Sequence, residues 1–212
     1  IDMEIQVPTD LSEITLGQYQ EYIALEKPTE VDTISIFMNI DRAAVKTIKA
    51  TSMDVLVEDI TKLFKTEQSF LNRFKISGKE FGFIPKLDDI TYGENKDISS
   101  YMKWDTMHKA MAAMYRPIIL KQRRKYLIED YEGSHKYSEI MKSAPMDVVM
   151  GAMLFFSNLT NDLLNYIPNY LEQEQNKRLL ESNGVDIQKF THLLRATLRD
   201  LRALQNYPYI NA

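Results

Sequence analysis

Along the first seventy residues, apolar positions recur every three or four places in short runs, and each run is opened by a residue that can cap a helix. The segment 10–19, DLSEITLGQY, places Thr15 three residues before Gln18, the capping-box spacing, with Ile14 and Tyr19 where a hydrophobic staple sits. Thr29 precedes EVDTISIFMNI, Asp41 precedes RAAVKTIKA with Ile40 and Val45 spaced as a staple, and Ser52 precedes MDVLVEDITKLFK. In that last run Val55, Leu56, Ile60, Leu63 and Phe64 fall at helical spacing. The pattern predicts a run of short helices over 1–72.

The period changes to two at 73–85, RFKISGKEFGFIP. Phe74 and Ile76 alternate before Ser77-Gly78, and Phe81 and Phe83 alternate after it, which predicts a β-hairpin over about 73–84 closed off by Pro85. A further extended segment is predicted at 124–131, where Tyr126 and Ile128 alternate with Leu127 and Glu129. Pairing with the hairpin would give the sheet a third strand and relieve the marginal stability of an isolated hairpin.

Helical spacing returns in WDTMHKAMAAMYRPI, where Met107, Ala110, Met111 and Met114 form a stripe that reads as core, with Pro117 as the stop. Residues 145–165 are dense enough in apolar positions to be a central buried helix, and Pro168 is read as separating it from NYLEQEQNKRLLES. Asn183-Gly184 ends that segment. A last helix is predicted over 186–205, with a long apolar stripe through Phe190, Leu193, Leu194, Leu198, Leu201 and Leu204. The predicted fold is therefore mainly α with a small antiparallel β element, an α+β chain. Its regions are an N-terminal helical part, 1–72, and a hairpin plus helical bundle, 73–212, packed as one compact unit.

An internal echo crosses this division. KLDDITYGEN at 86–95 aligns with DLSEITLGQY at 10–19, matching Leu87 with Leu11, Ile90 with Ile14, Thr91 with Thr15 and Gly93 with Gly17. Thr91 and Glu94 repeat the capping-box spacing. Weaker echoes, Asp32-Thr33-Ile34 with Asp105-Thr106-Met107 and Met53-Asp54-Val55 with Met146-Asp147-Val148, follow in the same order. An old duplication explains that order, and so does the frequency of capping boxes in a helical chain.

Composition narrows the chemistry. The 212 residues are 44% hydrophobic and 26% charged, enough to build a core without staples, and the absence of cysteine excludes disulfides and thiolate sites. The net charge of -4 argues against a surface built throughout for nucleic acid. The longest apolar stretch, VVMGAMLFFSNL at 148–159, is shorter than a bilayer span and reads as a buried helix; the N-terminal residues show no signal-peptide pattern. His108, His135 and His192 have no metal-ligand spacing, and no phosphate loop, nucleophile elbow or dinucleotide fingerprint is present. The paired acids Asp88-Asp89 and Glu129-Asp130 lack a complementary nucleophile or base, and Asp88-Asp89 suit the start of a helix instead. No cofactor, metal or catalytic residue is predicted.

What remains is binding. KQRRK at 121–125 is the one basic cluster, so Lys121, Arg123, Arg124 and Lys125 are the candidates for a phosphate contact, but acids return at Glu129, Asp130 and Glu132 and no interleaved aromatics offer stacking. A solvated face is the simpler reading of that cluster. The candidate partner-binding residues are Tyr126, Ile128 and Tyr131, with Phe190, Leu194, Leu198 and Leu201 on the last helix.

FKISGKEFGFIPKLDDITYGE, MHKAMAAMYRPI, KYLIEDYEG and APMDVVMGAMLFFSNLTNDLL, in that order, resemble a family of small proteins encoded by tailed bacteriophages, over about 70–200. The resemblance implies a non-enzymatic protein of virion morphogenesis, made in the host bacterial cytoplasm. It implies either a tail assembly chaperone that binds a helical partner such as the tape-measure protein, or a virion component of the baseplate, head–tail connector or packaged cargo. It carries no functional residues with it. A nucleic-acid-binding or regulatory phage protein acting through KQRRK is the rival outside that class.

Overall fold

The computed structural model describes residues 6–171 apart from Arg124; within that range the side chains of Asp88, Thr160, Asn161 and 163–171 are not described. The fold is α+β, with helices dominating and one four-stranded antiparallel sheet of order β1-β2-β3-β4. The chain divides into two compact units at the boundary between Met150 and Gly151. The first takes in both the N-terminal helices and the whole sheet.

Four helices open the chain: α1 (Leu16–Ile23), α2 (Glu30–Phe37), α3 (Arg42–Val45) and α4 (Ala50–Phe64). Thr15 and Thr29 close full capping boxes with Gln18 and Asp32, and the Asp41 carboxylate accepts from the Ala43 N–H at 2.6 Å. These caps satisfy backbone donors that a helix start leaves orphaned. Ser52 does not open α4, which begins two residues earlier after Lys49. The buried face of α4 runs through Val57 and Ile60, and Val55 is exposed. The helices meet in an aromatic cluster, in which Tyr19 lies 5.6 Å from Phe64 and 4.8 Å from Trp104 between ring centroids, and Tyr22 lies 5.1 Å from Phe37.

The predicted hairpin is β1 (Arg73–Ile76) and β2 (Lys79–Phe83). Ser77 and Gly78 both have positive φ, 49° and 74°, the turn whose twist matches that of the flanking strands. After it come α5 (Tyr92–Tyr101) and α6 (Met107–Met114). Met107, Ala110, Met111, Ala112, Ala113 and Met114 are all buried, so the methionine stripe is core, and α6 packs against α5 and the later helix α7 (Ser138–Met141).

Two predictions of segment boundaries are corrected. The helix does not run on to Pro117: α6 ends at Met114, and Tyr115–Gln122 is a strand, β3, which carries Pro117 within it. Tyr115 faces Phe83 and Pro117 faces Phe81, so β3 lies against the hairpin, and the extended segment predicted at 124–131 is β4 (Lys125–Ile128) on the far side of β3. Likewise Pro168 does not separate two helices, because α8 runs from Met146 through it to Leu171. An interior proline removes one helical hydrogen bond and crowds the carbonyl four residues back, a cost that bends a helix without having to end it.

The two copies of the echoed segment fold alike. Each makes one 3₁₀ turn, Leu11–Glu13 and Leu87–Asp89, then an extended isoleucine, then a threonine that closes a capping box and opens a helix. In the first copy, the N–H groups of Leu16 and Gly17 donate to the carbonyls of Ala144 and Lys142 at 2.9 and 2.7 Å, so orphan donors of α1 meet carbonyls that follow α7. The weaker echoes do not correspond: Asp32 sits in the first turn of α2, whereas Asp105 lies in a 3₁₀ turn, and Met53 is inside α4, whereas Met146 begins α8.

Candidate functional site

The β3–β4 hairpin is the element with an anchored root and an open tip. Its root is set by Arg116, a buried side chain at the start of β3. The Arg116 guanidinium pairs with the buried Glu94 carboxylate at 2.6 Å, donates to the Ala113 carbonyl at 3.0 Å and donates through Nε to the Glu129 carbonyl at 2.7 Å. The last bond has a local cause. Glu129 N–H donates to the Pro117 carbonyl at 2.9 Å, but Pro117 has no N–H to return, and Arg116 supplies the donor in its place.

Glu94 belongs to the second capping box, so one oxygen accepts from Thr91 N–H at 2.7 Å and the other meets Arg116. Burial works against its charged form, yet the Thr91 hydrogen bonds and the guanidinium outweigh burial and hold the carboxyl below its ordinary range. The Arg116 guanidinium also lies over the Tyr131 ring at 5.4 Å. Tyr131 donates its hydroxyl to Asp97 at 2.5 Å, and Asp97 accepts from Ser134 N–H as well; these bonds overcome burial and lower the Asp97 carboxyl, while burial pushes the Tyr131 phenol up. The segments ITYGENKD, YRPI and EDYEGS thus converge on one polar cluster. A partnered buried charge of this kind fixes geometry.

A second anchor is Tyr126. Its ring crosses from β4 over β2, and its hydroxyl donates to the Phe83 carbonyl at 2.9 Å. Gly82 makes the crossing feasible, since a Cβ there would stand 2.5 Å from Tyr126 Cε2 and 3.0 Å from Ile118 Cγ1.

Beyond the root the ribbon is open. From Ile118 onward β3 pairs only with β4, and the register shifts between Ile118 and Leu120. Lys121 faces Tyr126 on one side of the ribbon; Leu120 faces Leu127 on the other, which also carries Gln122 and Lys125. Ile119, Leu120 and Leu127 are 62%, 60% and 54% exposed, three of the six exposed large apolar side chains among the described residues. Isolated exposed apolar residues need no explanation, but a cross-strand pair with a third beside it does. At the turn, Arg123 has φ +57°.

Placement of the sequence candidates is therefore mixed. Ile128 is buried, and Tyr126 and Tyr131 have their hydroxyls engaged within the fold, so the exposed apolar surface nearest them is Leu127 with Leu120 and Ile119. Lys121, Arg123 and Lys125 are exposed, with Lys121 ion-paired to Glu80. Arg124, and Phe190, Leu194, Leu198 and Leu201, lie outside the described residues. No local signal in the sequence marks Leu120 and Leu127, because β3 follows α6 without a break and only its pairing with β4 brings the two together. His108 is buried beside Gln20 and its imidazole is lowered by desolvation, and His135 is exposed. Among the described residues no helix is long and apolar enough to cross a membrane and no cluster of side chains could hold a metal ion. In comparisons with known proteins, no family model, no curated protein and no solved structure matches the chain.

Proposed function

We propose that this protein is a non-enzymatic partner-binding protein of tailed-phage morphogenesis, a tail assembly chaperone that holds a helical protein of the tape-measure kind. One observation carries the binding part of the reading: the β3–β4 ribbon exposes a contiguous apolar group, Ile119, Leu120 and Leu127, on an element whose root is fixed by Arg116 and Tyr126. A rigid root with an apolar tip suits reversible capture of an amphipathic segment, because little ordering is left to be done on the chaperone side. The phage assignment rests on the family resemblance of the sequence.

The test is quantitative mass spectrometry of purified virions against infected-cell lysate. A chaperone is abundant in lysate in complex with the tape-measure protein and absent from virions. Peptides at a fixed ratio to the major capsid protein in virions would overturn the chaperone role and make the chain a virion component.

A further inference from the structure

The charge of the chain is unevenly distributed. Segments 73–83 and 115–128, which make up the sheet, hold eight basic residues and one acid, Glu80; the rest of the chain holds eighteen basic and twenty-nine acidic residues. The acidic protein carries a basic sheet. Glu80 itself is answered three times over: Lys121 bonds to it, and Lys75 and Arg73 also lower its carboxyl through their charge. Arg123 and Lys125 have no acid of their own on the ribbon, since residues 115–128 contain none.

The turn adds a second, independent observation. Arg123 occupies a left-handed backbone conformation at φ +57°, which glycine or asparagine adopts at lower cost. An arginine in that position sacrifices stability at the ribbon tip and keeps an exposed cation at the turn, while Lys125, opposite Gln122, shares the face of the exposed Leu120–Leu127 pair.

We infer that the ribbon face formed by Leu120, Leu127 and Lys125, with Ile119 beside it and Arg123 at the adjoining turn, docks an acidic amphipathic helix: leucine-type side chains against the cross-strand pair and flanking carboxylates against the two cations. This deepens the proposed function, on which it rests, by naming the partner's chemistry. Nucleic acid also seeks cations, but it has no use for a leucine pair, so the apolar group decides for an acidic protein segment.

The experiment uses the full chain and fluorescence anisotropy with three labelled probes: an amphipathic peptide of about five helical turns with leucines on one face and glutamates elsewhere, the same peptide with lysines for glutamates, and oligothymidine of similar length. The glutamate peptide binds and the lysine peptide does not. Leu120→Ser with Leu127→Ser, and separately Arg123→Glu with Lys125→Glu, each weaken glutamate-peptide binding by about ten-fold or more. Val55→Ser, at an equally exposed apolar position on α4, leaves it unchanged. Arg123→Gly raises the melting temperature while weakening binding, an opposition that a purely structural residue would not show.

Failure of the glutamate peptide to bind, or binding indifferent to both double variants, overturns the inference and leaves the virion measurement to decide the proposed function. Oligothymidine binding that falls with the charge variant and ignores the leucine variant overturns it in favour of nucleic acid. A chain found in virions that still binds the glutamate peptide through this face overturns the chaperone role alone.

Discussion

Gln18 and Glu94 hold the same place in two copies of one motif and send their second side-chain atom to different partners. Each gives an oxygen to the backbone N–H of the threonine that opens its helix, at 2.8 and 2.7 Å. Gln18 then donates from Nε2 to the Ile36 carbonyl at 2.7 Å, whereas Glu94 meets Arg116 at 2.6 Å. One motif, used twice, ties a helix start first to a neighbouring helix and then to the root of the sheet.

Glu94→Gln makes the second copy resemble the first. The amide still accepts from Thr91, so the cap survives, but Arg116 is left as a buried charge without its counter-ion. Unfolding in urea should show a loss of about 3–5 kcal/mol. A loss below about 1 kcal/mol, the range of surface pairs, would mean that the pair contributes nothing beyond the cap.

Acid should weaken the fold through the same cluster. The Glu94 and Asp97 carboxyls are both lowered in the folded protein, so each stabilises it above the ordinary carboxylate range, and that contribution is lost as pH falls through the lowered value. Urea midpoints measured from neutral pH downward should fall in that window. Glu94→Gln with Asp97→Asn should flatten the decline. Asp147, whose carboxyl is raised by burial, works in the opposite sense and is left in place in both proteins.

Gly82→Ala tests the Tyr126 anchor. The added methyl would stand 2.5 Å from the ring, so either the ring or the strand must move, at a cost of about 1–3 kcal/mol. Tyr126→Ala removes the nearer obstacle together with the hydroxyl bond to Phe83, leaving Ile118 Cγ1 at 3.0 Å. The double variant should lose less than the sum of the singles, and strict additivity would show that the ring is not what excludes a side chain at Gly82.

Met111→Ala separates core from surface among the apolar residues. Met111 is fully buried in α6, and its truncation should cost about 2–5 kcal/mol. Leu120→Ala, on the open ribbon, should stay within about 1 kcal/mol, the scale of a cross-strand pair. Thermal or chemical unfolding of the two variants side by side gives the comparison, and similar losses would place Leu120 in the core.

The elements legible in the sequence are those decided locally. Capping boxes at Thr15 and Thr91 bind residues three apart, and the Ser77-Gly78 turn joins strands two residues apart, so neighbours in sequence suffice to specify them. The methionine stripe was legible as core for the same reason, since helical spacing puts Met107, Met111 and Met114 on adjoining turns. Ser52 misled because a serine near an apolar run signals a cap whether or not the helix begins there.

β3 was hidden. Its residues follow α6 without a break, and Pro117 reads as a helix stop when its role is to sit in a strand whose missing N–H is made good by Arg116. No local pattern announces that substitution, because the donor, the acceptor Glu129 and the counter-ion Glu94 come from three separate stretches. The candidate site shares this fate: Leu120 and Leu127 are unremarkable apart and become a surface only once β3 and β4 pair. By itself the sequence determined the capped helix starts at Thr15, Thr29, Asp41 and Thr91, the first hairpin, the methionine core and the placement of a basic run among apolar neighbours, all set by contacts within a few residues. Tertiary structure alone decided which strand lies between β2 and β4, which tyrosines are engaged and which leucines stay open to solvent, since strand pairing and the burial of a charge depend on distant partners.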